Sequence, residues 1–153
     1  MASIPVYEER LKANSPLIVG VSLWALAVGI IPGIILGGLW WLFAIYIALT
    51  IAIISGFYQM KVELFVDRLV IKFGFFYRKV IELERIQDYS PHKMLHPVKT
   101  YGGWGIRKGT DGTLALTQAF INEAIKLETP AQTFIISSRT PENFCSAIKS
   151  LKG

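Results

Sequence analysis

Residues 61–83 read KVELFVDRLVIKFGFFYRKVIEL, and this stretch decides the fold of the C-terminal part of the chain. Apolar residues alternate with charged ones between two short breaks, at Asp67-Arg68 and at Gly74. Such alternation over four to eight residues is typical of half-buried β-strands. The stretch therefore predicts three antiparallel strands joined by short turns.

The chain that follows predicts further strands. An Asp-Gly pair at 111–112 lies between two strand-like runs and is a strong signal for a β-hairpin. The predicted strands after residue 83 are one within 84–101, which also holds a long loop, and those at 104–108, 113–117, 124–128 and 133–137. We expect about seven strands in total.

One amphipathic helix is predicted at the C-terminus. Thr140 is a good N-cap, Pro141 suits the first helical position, and apolar residues recur at helical spacing from Phe144 to Leu151. In a small barrel or a pair of orthogonal sheets, such a helix covers one open end.

The N-terminal part has a different character. No Asp, Glu, Lys or Arg occurs in the 48 residues from 13 to 60. Since about 20 apolar residues cross a bilayer, this run predicts two membrane-spanning helices, near Pro16–Ile31 and Leu39–Gln59, with a break at 32–38. A cleaved signal peptide ending at 25–27 is the alternative, which we disfavour because the apolar run continues far beyond it.

The charge distribution predicts the orientation of this hairpin. The connection at 32–38 is uncharged, and all the basic residues lie before residue 13 or after residue 60. The positive-inside rule then predicts an integral protein of the cell inner membrane with both termini in the cytoplasm. The predicted organisation is an N-terminal tail at 1–15, a transmembrane hairpin at 16–59 and a domain at 60–153.

Three blocks of sequence carry a resemblance. They are Leu64–Ile71, the Tyr101–Arg107 block with its Gly-Gly-Trp-Gly-Ile-Arg sequence, and Phe134–Ser138 leading into the C-terminal helix. The chain resembles small membrane proteins that carry a bacterial-type pleckstrin-homology-like (PH-like) domain after two transmembrane helices. The resemblance implies an all-β, partly open barrel capped by the C-terminal α-helix, and it implies no reaction. A phosphoinositide site is not carried over, because the first strand connection is short and contains Asp67.

The composition excludes some kinds of covalent cross-link and metal site. The chain is 52% apolar and 18% charged, with a formal net charge of +5. The single Cys145 excludes an intramolecular disulfide and a cysteine-built metal site. His92 and His96 lie four residues apart but between prolines, so we interpret them as loop residues and predict no metal and no cofactor.

The predicted interaction residues lie in the basic loop 93–99 and in the strand 101–108. They are Lys93, Lys99, Tyr101, Trp104, Arg107 and Lys108. Basic side chains near a membrane attract anionic headgroups, while an ordinary positive-inside surface is the other interpretation. The glycines around Trp104 have two interpretations. One is a binding loop whose backbone approaches a ligand or partner, and the other is a tightly turned strand entry with glycines at positive φ.

These observations predict a membrane-anchored, non-enzymatic interaction module, an accessory or scaffolding subunit of a membrane protein assembly. An anionic-lipid-sensing domain at the inner leaflet is the alternative, and a small membrane enzyme ranks last because no catalytic arrangement stands out. The predicted partners are membrane lipids and either a membrane protein or further copies of the chain. Nucleic acid is not expected, because there is no dense basic run.

Overall fold

The structure is a computed structural model of the whole chain. It describes residues 4–12, 19–20, 22–24, 27–28, 40–94, 103, 105–109 and 111–153.

Sheet A contains four antiparallel strands in the order in which they occur in the chain. The strands are β1 (Tyr7–Lys12), β2 (Gln59–Leu64), β3 (Arg68–Phe73) and β4 (Tyr77–Glu82). The last three follow the alternation predicted for residues 61–83. Strand β1 was not predicted. It pairs with β2 from Tyr7↔Leu64 to Lys12↔Gln59, so the chain leaves sheet A at Lys12 and rejoins it at Gln59.

Sheet B contains five strands in the order β5-β8-β9-β7-β6. They are β5 (Asp88–Lys93), β6 (Gly105–Lys108), β7 (Leu114–Thr117), β8 (Glu123–Glu128) and β9 (Thr133–Ser137). The predicted hairpin around Asp111-Gly112 is confirmed as β6–β7. Its turn is held by Thr113, whose backbone N–H donates to Asp111 Oδ1 at 3.0 Å, and by Gly112 at φ +82°. Strands β7 and β9 pair in parallel, which the sequence did not indicate.

The two sheets share one apolar core. Alternate residues of each strand point into it, among them Val62 and Ile71 from sheet A and Ile125 and Ile136 from sheet B, all fully buried. Burying a side chain of this size stabilises the fold by about 1.5–3 kcal/mol. Leu11 of β1 belongs to the same cluster and is also fully buried.

The C-terminal helix α2 (Pro141–Lys152) is confirmed at the predicted place. Its buried face consists of Pro141, Phe144 and Ile148, and it packs against β5 and β8. The Phe144 ring also stacks on Tyr7 of β1 at a centroid distance of 4.9 Å. The helix therefore bridges the two sheets.

The predicted partly open, seven-stranded barrel is wrong. The described residues form nine strands in two separate sheets, and no strand pairing joins the sheets. The parallel β7–β9 pair places β9 in the middle of sheet B, and β6 and β5 at its two edges. Sheet B therefore closes on neither side against sheet A.

The predicted transmembrane hairpin is also wrong. Helix α1 (Trp40–Tyr58) occupies most of the predicted second span and leads directly into β2. Much of the predicted first span lies outside the described residues, and residues 19–20, 22–24 and 27–28 within it are helical. Among the described residues, no helix has both the length and the apolar character needed to cross a bilayer. This finding overturns the prediction of an integral protein of the inner membrane with cytoplasmic termini.

Candidate functional site

The outer face of sheet A carries four basic side chains at one level of the sheet. The register pairs Arg10 with Lys61, Lys61 with Lys72, and Lys72 with Arg78. Each strand of the sheet thus contributes one cation to a line that crosses all four strands. We call Arg10, Lys61, Lys72 and Arg78 the basic row. At about 4.8 Å between strands, the row is roughly 14 Å long.

Two carboxylates on the same face stabilise the basic row. Like charges directly opposite each other destabilise a sheet, so this row needs compensation. The level next to it pairs Glu8 with Glu63. Lys61 Nζ lies 2.6 Å from Glu63 Oε1 and 3.3 Å from Glu8 Oε2, and Lys72 Nζ lies 2.8 Å from Glu63 Oε2. Glu63 therefore links the two central cations of the row.

The titration behaviour of these groups reflects the same contacts. Burial by itself raises the pKa of Glu63, but hydrogen bonds from Lys61 and Lys72 outweigh it and hold the pKa below its usual value. The Glu63 carboxylate in turn raises the pKa of Lys61. A hydrogen bond from Arg10 lowers the pKa of Glu8. Each of these directions favours the charged form of Glu8, Lys61 or Glu63.

The outer face keeps an excess of positive charge after this compensation. Its outward positions hold six basic and three acidic side chains, an excess of three positive charges. The two basic residues outside the row are Lys12 and Arg68, and the third acidic residue is Glu82. Among the described residues, no carboxylate lies within ion-pair distance of Lys12 or Arg78. These two cations are available to an anionic partner.

An exposed aromatic pair lies at one end of the same sheet. The β3–β4 turn contains Phe75 and Phe76, whose side chains are 70% and 61% exposed and whose ring centroids are 4.0 Å apart. Gly74 permits the turn because it adopts φ +52°, and its N–H donates to the Gln59 carbonyl at 2.8 Å. We call Phe75 and Phe76 the aromatic tip. It projects from the end of sheet A at which the chain leaves through Lys12 and returns through Gln59.

The structure does not bring the predicted interaction residues together. Lys93 ends β5 at one edge of sheet B, whereas Arg107 and Lys108 lie on β6 at the opposite edge. Four strand spacings and several residues along the strands separate Lys93 from Lys108, which is at least about 20 Å. Lys99, Tyr101 and Trp104 lie outside the described residues. The described members of the predicted set therefore form no common surface.

The other residues considered in the sequence show structural roles. Gly103 and Gly105 adopt φ +125° and +100°, as expected for a tightly turned strand entry. Cys145 is half-buried against the core, and burial raises the pKa of its thiol. His92 lies in β5, and His96 lies outside the described residues. The described part of the chain contains no group of three or more His, Cys, Asp or Glu side chains that could hold a metal ion.

The alignment of three members of the basic row could have been predicted from the sequence. Lys72 and Arg78 lie at equal distances from Phe75, so a tight turn at 74–76 places them opposite each other. Lys61 and Lys72 are related in the same way across the β2–β3 turn. Arg10 had no such signal, because its partner strand lies about 50 residues further along the chain.

The chain was also compared with known proteins. Neither a protein-family model, nor a curated protein, nor a solved structure matches it.

Proposed function

We propose that the protein is a non-enzymatic binding module that attaches to an anionic partner surface through the outer face of sheet A. The basic row carries the proposal, since it places four cations in one line across a rigid sheet. The role is still that of an interaction module, as the sequence predicts. The proposed contact surface is the outer face of sheet A and not the segments 93–99 and 101–108.

The row suits a surface better than a small ligand. Its cations are spread over roughly 14 Å on an open sheet, so they can contact several negative groups at once. Basic residues near an anionic surface contribute about 1 kcal/mol each, and the excess of three positive charges on this face corresponds to about 3 kcal/mol. Binding of this strength is weak, reversible and screened by salt.

The ion pairs with Glu8 and Glu63 fit reversible binding by the basic row. These carboxylates hold Lys61 in place in the unbound protein, and Lys72 contacts only Glu63 among the described carboxylates. An arriving anion can therefore interact with Arg78 and Lys12 without breaking an ion pair among the described residues. A preorganised row loses less side-chain entropy on binding than flexible surface lysines do.

The test is retention of the intact protein on a heparin matrix, with elution by salt. The double variant Lys72→Glu/Arg78→Glu reverses two members of the row, and we expect it to elute at clearly lower salt than the wild type. The control Lys93→Glu/Lys108→Glu makes the same change in net charge on sheet B and is expected to elute close to the wild type. Equal shifts for the two variants would show that only total charge matters, and would refute the proposal.

A further inference from the structure

The aromatic tip is exposed although both of its side chains are apolar. Phe75 and Phe76 contact each other and are the most exposed aromatic side chains of sheet A. A tight turn normally carries Gly, Asn, Asp or Ser at such positions, because these residues suit turns and water. Two adjacent exposed phenylalanines on a convex turn therefore indicate an apolar environment outside the protein.

The strand geometry fixes the distance between the aromatic tip and the basic row. Lys72 and Arg78 flank the turn on either side, two or three residues from the rings, and their side chains are on the outer face of the sheet. At about 3.4 Å per residue, the cations lie roughly 7–10 Å behind the aromatic rings. Apolar groups of interfacial proteins enter a bilayer by about 5–10 Å, to the boundary between headgroups and acyl chains. Rings at that depth place the row at the level of the phosphates.

The opposite end of sheet A provides an internal contrast. This end exposes two aliphatic side chains, Val66 at 69% in the β2–β3 turn and Val6 at 50% just before β1. The neighbours of Val66 include the acidic residues Asp67 and Glu82, and the level of Glu8 and Glu63 lies on this side of the basic row. The opposite end also carries Arg68, so the two ends differ in the kind of exposed apolar group: among the described residues of sheet A and its turns, exposed aromatic rings lie only at the end that carries the aromatic tip.

We infer that the anionic partner surface is a lipid bilayer, with the aromatic tip in its interface and the basic row against the headgroup phosphates. This inference rests on the proposed function and adds the identity of the surface. A convex aromatic pair with cations behind it complements a bilayer, whereas a protein partner would need a matching pocket. The chain leaves sheet A at Lys12 and rejoins it at Gln59 at this same end, and the sequence from 13 to 60 contains no Asp, Glu, Lys or Arg.

The experiment measures binding of the intact protein to vesicles of phosphatidylcholine, with and without phosphatidylserine, at low and high salt. Phe75→Ser/Phe76→Ser removes the tip, and Val66→Ser is the matched control at the other end of the sheet. We expect the wild type to bind only the anionic vesicles. We expect the tip variant to bind them at least about tenfold more weakly, because transfer of a phenylalanine from water is lost, and Val66→Ser to bind like the wild type.

The outcomes separate this inference from the proposed function. Wild-type binding by the tip variant, with loss of binding in Lys72→Glu/Arg78→Glu, would overturn insertion of the tip and leave the proposed function in place. Retention on heparin without binding to any vesicle would overturn the lipid surface alone. Failure on both heparin and vesicles would overturn both. Because all the substituted side chains are on the outer face or in turns, equal urea midpoints will show that the variants are folded.

Discussion

Sheet A and sheet B both carry basic side chains, but they arrange them differently. In sheet A the strands follow one another as in the chain, and two tight turns place Lys61, Lys72 and Arg78 side by side. In sheet B the order is rearranged by the parallel β7–β9 pair, and Lys93 and Lys108 lie on opposite edges. Similar side chains thus form one line across sheet A, whereas Lys93 and Lys108 lie on opposite edges of sheet B. Strand register, and not the number of charges, therefore determines whether basic side chains form a row.

The largest expected effect concerns strand β1, because the basic row includes Arg10 only if β1 is part of sheet A. Leu11→Ala removes a fully buried side chain from the shared core and is expected to lower the free energy of unfolding by about 2–5 kcal/mol. Ile4→Ala removes an 87% exposed side chain from the same N-terminal region and is expected to change little. Urea unfolding of the two variants measures the difference.

If Leu11→Ala unfolds at the wild-type urea concentration, β1 does not pack as a strand of sheet A. The row would then contain three cations instead of four. With three cations in its row, sheet A would differ less from sheet B.

Local signals made most of the strands predictable. Alternation in residues 61–83, the Asp-Gly turn at 111–112 and the Pro141 helix start each act within a few residues, and each gave an element at the right place. Strand β1 lacks such a signal. Four of its six residues are charged, and its pairing with β2 spans the 46 residues between Lys12 and Gln59. The parallel β7–β9 pairing and the full basic row likewise depend on contacts between distant segments.

The predicted transmembrane hairpin was wrong for a related reason. Its composition matches a pair of membrane spans, and composition alone does not show that both ends attach to neighbouring strands of one sheet. The predicted interaction residues show the same limit of local patterns, because charges that are close in sequence, such as Lys93 and Lys108, need not be close in space. In a sheet with rearranged order, they are not.

An intermediate effect is expected for Glu9, which lies on the inner side of β1. Its carboxylate accepts hydrogen bonds from Ser138 Oγ and from the Arg139 N–H, both at 2.7 Å, and thereby ties β1 to the segment before α2. Glu9→Ala leaves these donors without that acceptor and is expected to lower the free energy of unfolding by about 1–3 kcal/mol.

The neighbouring Glu8 is the matched control for this prediction. It is on the outer face, and its ion pairs among the described residues are with the exposed Arg10 and with Lys61, so Glu8→Ala is expected to reduce stability less than Glu9→Ala. Thermal unfolding followed by circular dichroism ranks the two variants. The reverse order would mean that the outer-face ion pairs, rather than the link to α2, hold β1 in place.

The smallest effect on stability, and the sharpest test of the basic row, is expected for Glu63→Gln. The pKa of Glu63 is lowered in the folded protein, so its carboxylate adds stability above the ordinary glutamate pKa of about 4.3 and loses that contribution as the pH falls through the folded-state value. The difference in urea midpoint between the wild type and Glu63→Gln is therefore expected to be largest near neutral pH and to shrink below about pH 4.

The same substitution should strengthen binding while it weakens the fold. Glu63→Gln removes the anion that bridges Lys61 and Lys72, so the row gains one net positive charge. We expect the variant to elute from heparin at higher salt than the wild type. Glu123→Gln makes an identical charge change beside Lys93 on sheet B and is expected to shift elution less. Equal shifts would mean that the two sheets do not differ as binding surfaces. A larger shift for Glu63→Gln would show that the carboxylate which stabilises the row also limits its affinity.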